Sequence, residues 1–228
     1  MIMKEGKLKI STTDPKDVFL RIYQNFKYKF LLESKDVSQI YGRLSLIGID
    51  PVLKITGKND SFSIESINKR GNKYLKQLNG TSRSIKGTIK KVQTEVEESQ
   101  RSKQKNISMI IRRIIKTFET KEKTLLGLYG AFSYDFIRLF ENLEDSLPDN
   151  DINDFTLFLY DTFIFFDHLK NNAEIVIYRE NDKELQKDLA EIFNETKKRL
   201  TNPKYKIKKS SFSIDEKKYK NLVKTAKE

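Results

Sequence analysis

The chain has 228 residues, with 44 Lys and Arg against 32 Asp and Glu for a formal charge of +12, and it contains no cysteine, no tryptophan and one histidine. The lack of cysteine excludes disulfides, thiolate metal sites and cysteine nucleophiles, and no apolar run approaches the roughly 20 residues needed to cross a bilayer. Hydrophobic residues at 37%, including 15 Phe and 10 Tyr, suffice for a core and are too many for a disordered chain.

A basic excess of this size is one mark of nucleic-acid binding. Here it is mostly lysine in a chain also rich in Ile and Asn, which a lysine-heavy coding background explains as well. No RNA or DNA motif accompanies it, so the reading is no nucleic acid, with a basic nucleic-acid-binding module kept as the last alternative. The N-terminus, Met1–Lys7, has no apolar signal core. No membrane association is expected, and a cytoplasmic protein is the simplest fit.

In chain order, Thr12-Thr13-Asp14-Pro15 predicts a helix start, a capping side chain before a first-turn proline. Val18, Phe19, Ile22, Tyr23 and Phe26 then share one helical face. Phe30-Leu31-Leu32 predicts a buried strand closed by Glu33-Ser34. A carboxylate and a hydroxyl at the rim of an apolar sheet can hold a small polar ligand, or simply carry the strand into solvent. Gly42 to Asp50 predicts a second strand, stopped at Asp50-Pro51. Val52–Ile55 and Phe62–Ile67 predict a hairpin.

Between residues 68 and 106 the composition turns polar, with Tyr74 the only aromatic, which predicts short helices or a poorly ordered insertion with a solvated surface. Ile107, Ile110, Ile111, Ile114, Ile115 and Phe118 form the cleanest amphipathic stripe in the chain. Leu125–Phe132 predicts a buried strand whose Gly127 and Gly130 allow close backbone approach, and Ser133–Phe140 a short helix. The acidic stretch from Glu141 to Asp154 lacks the glycine and distal glutamate of a calcium loop and predicts a solvated linker.

Phe155–Asp167 and Ala173–Tyr178 predict a strand pair across a turn at His168, to which the lone histidine gives a turn-fixing role. Asp182–Leu200 predicts a helix. Ser213-Ile214-Asp215-Glu216 predicts a capping box, Ser at the cap and Glu three later, and Tyr219, Leu222, Val223 and Ala226 begin another apolar stripe. Hairpins outnumber strand-helix-strand units, so the fold class is α+β, mostly antiparallel sheet with packed helices.

Three segments, in order, carry a resemblance. Leu31-Leu32-Glu33-Ser34 with Gly42-Arg43-Leu44-Ser45-Leu46-Ile47-Gly48-Ile49-Asp50-Pro51, then Gly127–Glu141, then Leu159–His168 together resemble the N-terminal region of the anthranilate synthase component I family of chorismate-using enzymes. The resemblance implies residues 1–209 as that N-terminal region, with a polar insertion at about 68–106, and 210–228 as the start of a chorismate-binding region cut short. It also implies a parent enzyme making anthranilate and pyruvate from chorismate and glutamine-derived ammonia in tryptophan biosynthesis. A glutamine amidotransferase subunit (component II) would be its partner, Mg2+ its cofactor and L-tryptophan its feedback inhibitor. No catalytic residue and no metal ligand fall in these 228 residues, which should be inactive alone. Carried over by motif position, Glu33 and Ser34 are candidate tryptophan-binding residues, with Arg43, Leu44 and Ser45 on the neighbouring strand. Aminodeoxychorismate synthase component I, of the folate pathway, is the alternative within the same family.

Overall fold

Two stretches of this chain change sheet at an aspartate. The computed structural model describes residues 5–10, 14–33, 43–80, 83–92, 97–101, 103–119, 125–141, 143, 151–178, 187, 189 and 211–227. The chain divides into two units, Met1–Lys198 and Arg199–Glu228.

In the first unit, β1 (Glu5–Ile10) is followed by α1 (Pro15–Ile22). The Asp14 side chain accepts from the Lys16 and Asp17 amides at 2.9 and 3.2 Å, so the predicted cap is present. Such a cap stabilises by about 1 kcal/mol. Full burial of Val18 and Ile22 contributes about 1.5–3 kcal/mol for each, so packing holds this helix more than capping does.

Next come β2 (Lys29–Leu32), β3 (Leu44–Ile49), β4 (Leu53–Lys58) and β5 (Ser61–Ser66). The 68–106 stretch then folds into α2 (Gly71–Gln77), β6 (Ser84–Thr88) and α3 (Glu98–Arg101). After α4 (Ser108–Phe118) and β7 (Gly127–Phe132), a 3-10 helix spans Tyr134–Leu139. β8 (Phe155–Tyr160), β9 (Thr162–Asp167) and β10 (Asn172–Tyr178) complete the sheets.

One sheet has the order β1-β10-β9-β3-β2 and the other β6-β5-β4-β8-β7, with every pairing antiparallel. The α+β reading therefore holds. β3 of the first sheet runs through Asp50-Pro51-Val52 into β4 of the second, and β8 of the second runs through Asp161 into β9 of the first. Asp50 takes φ 47° to make its bend. α1 packs on the first sheet over Ile47, Ile49, Ile164 and Phe166, while α2 and α4 cover the second over Leu53, Ile55, Leu157 and Leu159. Aromatics bridge the sheets: Phe30 of β2 stacks on Tyr129 of β7 at 4.5 Å and meets Tyr160 edge-on at 4.9 Å.

Several expectations need correction. Phe155–Asp167 is two strands, because Asp161 turns the backbone while both flanks stay apolar. The strands at Phe30–Leu32 and Leu125–Phe132 are sheet edges and not buried centres; Leu32 and Phe132 are each about half exposed. The close approach read at Gly130 is real, since a Cβ there would collide with the Thr156 carbonyl, whereas Gly127 has ordinary room. The polar 68–106 stretch is not merely a solvated surface: Tyr74, Leu75 and Leu78 enter the core, and β6 pairs with β5. Their apolar content is too sparse to show a period. β1 went unread because lysines alternate with its few apolar residues.

Asp154, read as part of a solvated linker, is buried and accepts the Asn59 amide at 2.7 Å across the β4–β5 turn. Most of the acidic stretch lies outside the described residues, as does the helix predicted at 182–200 apart from Lys187 and Leu189, which are helical, with Leu189 buried in the core of the first sheet. In the second unit α5 spans Glu216–Lys227. Its cap is Asp215, which accepts the Lys218 amide at 2.8 Å, and not Ser213, because the helix begins two residues later than the capping-box reading requires.

Candidate functional site

Antiparallel pairing brings the predicted residues of β3 to the far end of β9. Leu44 lies opposite Asp167 and Ser45 opposite Phe166, and the His168 amide donates to the Arg43 carbonyl at 2.8 Å. On the other side, Leu32 of β2 pairs with Leu46. Glu33 thus leaves the sheet edge one residue further on, with its side chain exposed. Ser34 lies outside the described residues. Glu33, Arg43, Leu44 and Ser45 are therefore brought to one rim of the first sheet.

Arg43 donates from Nη2 to Asp167 Oδ2 at 2.9 Å, with Arg43 about half exposed and Asp167 almost covered. The Lys170 amide also donates to Asp167, at 3.1 Å. The hydrogen bond from Arg43 holds the Asp167 carboxyl below its ordinary value, and the same bond raises Arg43. Beside this pair, Ser45 Oγ and His168 Nε2 are 2.8 Å apart, with the donor set by the imidazole tautomer. His168 does sit in the β9–β10 turn, and its ring ties that turn to β3, a partner 123 residues away that no local pattern reveals.

A serine and histidine at hydrogen-bond distance invite comparison with a nucleophile and its base. Two features argue against that chemistry. Ser45 is only 2% exposed, and the carboxylate next in sequence, Asp167, engages Arg43 and the Lys170 amide, so the described contacts give the histidine no orienting acid. What the rim offers is a guanidinium, an exposed carboxylate and an apolar side chain, Leu44. That set suits binding a zwitterion with an apolar part more than bond breaking.

The opposite ends of β3 and β9 carry a second cluster, one the sequence reading missed. Arg70 donates to Asp50 Oδ2 at 2.7 Å and to the Asp50 carbonyl at 2.9 Å, and its Nη2 lies 3.6 Å from Asp161 Oδ1. Tyr74 and Thr162 hydroxyls donate to Asp161, which is fully buried, at 3.0 and 2.9 Å. Asn68 donates to Asp50 and to the Pro51 carbonyl. Burial works against the Arg70 charge, but the carboxylates of Asp161 and Asp50 outweigh it and raise its pKa. Between the sheets, burial pushes the Tyr129 hydroxyl up to about 12 and Tyr160 higher still.

Residues 62–228 match the family of chorismate binding enzymes. The chain belongs to that family. The match begins at Phe62 in β5 and runs through the whole polar stretch. Anthranilate synthase component 1 of Buchnera aphidicola subsp. Pemphigus spyrothecae is 25% identical over 96% of this chain and 46% of its own length. The Aquifex aeolicus protein of the same name is 26% identical over 97% and 43%. Anthranilate synthase of Azospirillum brasilense is 28% identical over 60% and 21%. A solved structure of anthranilate synthase component I from Streptococcus pneumoniae TIGR4 is similar with a TM-score of 0.45 and 18% identity, over 95% of this chain and 45% of that one.

The resemblance seen in the three sequence segments thus holds along nearly the whole chain, which spans about half the length, or less, of the curated relatives it matches. Among the described residues no group of three or more His, Asp or Glu could hold a metal ion. The described residues therefore offer no such cluster for the magnesium that the resemblance implies for the parent enzyme. No helix among the described residues is long and apolar enough to cross a membrane.

Proposed function

We propose that the chain is the N-terminal, regulatory and structural part of an anthranilate synthase component 1. Relatives of that name match 96–97% of this chain while extending to more than twice its length, and this observation carries the reading. The parent enzyme turns chorismate, with ammonia from glutamine supplied by an amidotransferase subunit, into anthranilate and pyruvate. The 228 residues alone have no turnover. The rim of the first sheet binds L-tryptophan as end-product inhibitor: Glu33 offers a carboxylate to the ammonium or the indole N–H, Ser34 hydrogen-bonds a polar end, Arg43 faces the carboxylate, and Leu44 and Ser45 line the wall. Inhibition requires that tryptophan bind the inactive arrangement better than the active one, and that the coupling be reciprocal.

The test needs the uninterrupted reading frame. Its product, supplied with chorismate, magnesium and ammonium, should form anthranilate; 4-aminodeoxychorismate instead would overturn the assignment. L-Tryptophan should weaken chorismate binding, and chorismate should weaken tryptophan binding by the same factor. In the 228-residue chain, which has no tryptophan, indole emission reports the ligand directly. Unchanged tryptophan affinity after Arg43→Ala and Glu33→Ala together would remove the rim from the site.

A further inference from the structure

Arg43 is fixed at its base and loose at its tip. Its carbonyl accepts the His168 amide at 2.8 Å, and the next residue along β3, Leu44, is in register with Asp167, so the main chain cannot shift without breaking the ladder. The guanidinium is held differently. Nη2 donates to Asp167 Oδ2 at 2.9 Å, and among the described residues nothing else accepts from its other N–H donors. The contact is a single bond, not the two-pronged fork that makes arginine–carboxylate pairs strong. The reason lies with Asp167. Its Oδ1 accepts the Lys170 amide at 3.1 Å and closes the β9–β10 turn, which leaves one oxygen for the arginine. The Asp167 side chain is 7% exposed against 45% for Arg43. Of the two, only the arginine is placed to swing, since Asp167 keeps its ladder position and the Lys170 amide with or without it.

We infer that Asp167 is a built-in competitor for Arg43, a stand-in carboxylate that the carboxylate of a ligand must displace, and that it thereby sets how much free ligand the rim needs. This rests on the proposed function, in which Arg43 faces the carboxylate of L-tryptophan. An arginine already bonded to an aspartate attracts an anion less than a bare one does. A bond must first be broken, and two carboxylates at one guanidinium repel each other. A partly exposed pair of this kind changes an equilibrium constant by up to about fivefold. The opposite role, with Asp167 staying bonded and aiming Arg43 at the ligand, needs an aspartate that grips the guanidinium with both oxygens, and Oδ1 is engaged by Lys170.

Calorimetric titration of the product of the uninterrupted frame tests this with L-tryptophan and with tryptamine, which lacks the carboxylate. Asp167→Asn keeps an oxygen for the Lys170 amide and removes the charge. It should tighten L-tryptophan binding about three- to fivefold, leave tryptamine binding unchanged, and have no effect in an Arg43→Ala background. Loss of an aspartate that only supported the turn would weaken both ligands. A second measurement needs no variant. The Asp167 carboxyl, held below its ordinary value by the Arg43 bond, should titrate higher at saturating L-tryptophan, read by carboxyl-carbon NMR. L-Tryptophan binding weakened or unchanged by Asp167→Asn, equal tightening of both ligands, or an Asp167 titration indifferent to L-tryptophan overturns the inference and leaves the proposed function standing. A wild-type protein that binds no L-tryptophan overturns the proposed site, and the inference with it.

Discussion

The strand pair β3–β9 ends in an arginine–aspartate contact at both ends, and the two ends are built in opposite ways. At the bend, Arg70 lies between Asp50 and Asp161, and hydroxyls from Tyr74 and Thr162 donate to a carboxylate with no exposed surface. At the rim, Arg43 leans on Asp167 from a half-exposed position, and Ser45 with His168 forms a separate bond beside it. A carboxylate with no exposure, as Asp161 is, is held by the cost of losing its counter-ion, whereas a pair whose arginine is half exposed, as Arg43 is, is worth less and can be exchanged for a ligand. The bend is thus suited to fix the angle between sheets and the rim to answer to a bound molecule.

The comparison can be broken most sharply at the bend. Arg70→Met removes a guanidinium 3.6 Å from the fully buried Asp161 carboxylate and should cost about 3–5 kcal/mol in urea unfolding; adding Asp161→Asn should return part of it. A loss below that of an exposed pair would erase the distinction. Tyr74→Phe removes one donor from the same carboxylate and should cost about 1.5–3 kcal/mol. At the rim, Ser45→Ala should cost only about 0.5–1.5 kcal/mol in the same unfolding measurement.

The smallest effect concerns pH. The Asp167 carboxyl, bonded by Arg43, has its folded-state pKa below the ordinary value of 3.8. A depressed carboxyl contributes stability above its unfolded value and loses it as pH falls through the folded one. Wild type should therefore lose a small increment of stability below the ordinary carboxylate range that Arg43→Ala, already without it at neutral pH, does not. Parallel acid-unfolding curves for the two proteins would contradict the assignment.

How much of this was legible in the sequence follows from where the information lies. α1 and α4 were readable because Asp14-Pro15 and the isoleucine spacing of 107–118 are local signals. The α+β class followed from counting turns. The rim residues came from a resemblance, and the structure gathers Glu33, Arg43, Leu44 and Ser45 at one place, but the bonds that organise them span more than 120 residues. The bend was invisible for the same reason. Arg70 sits in a polar stretch that looks like solvated surface, and only the packing of α2 against β4 and β5 brings it to Asp50 and Asp161. Asp161 itself looked like one polar residue within a long apolar strand, since periodicity records the flanks and not a change of direction.

The double passage from one sheet to the other has a mechanical consequence. β3 with β4, and β8 with β9, give the two layers common middle strands joined end to end by peptide bonds. A push delivered at the open end of that ribbon cannot be dissipated by one layer gliding over its neighbour. It must travel down the main chain and twist the far layer about the corner, so the assembly answers to a local load as a bent beam would, not as two stacked plates.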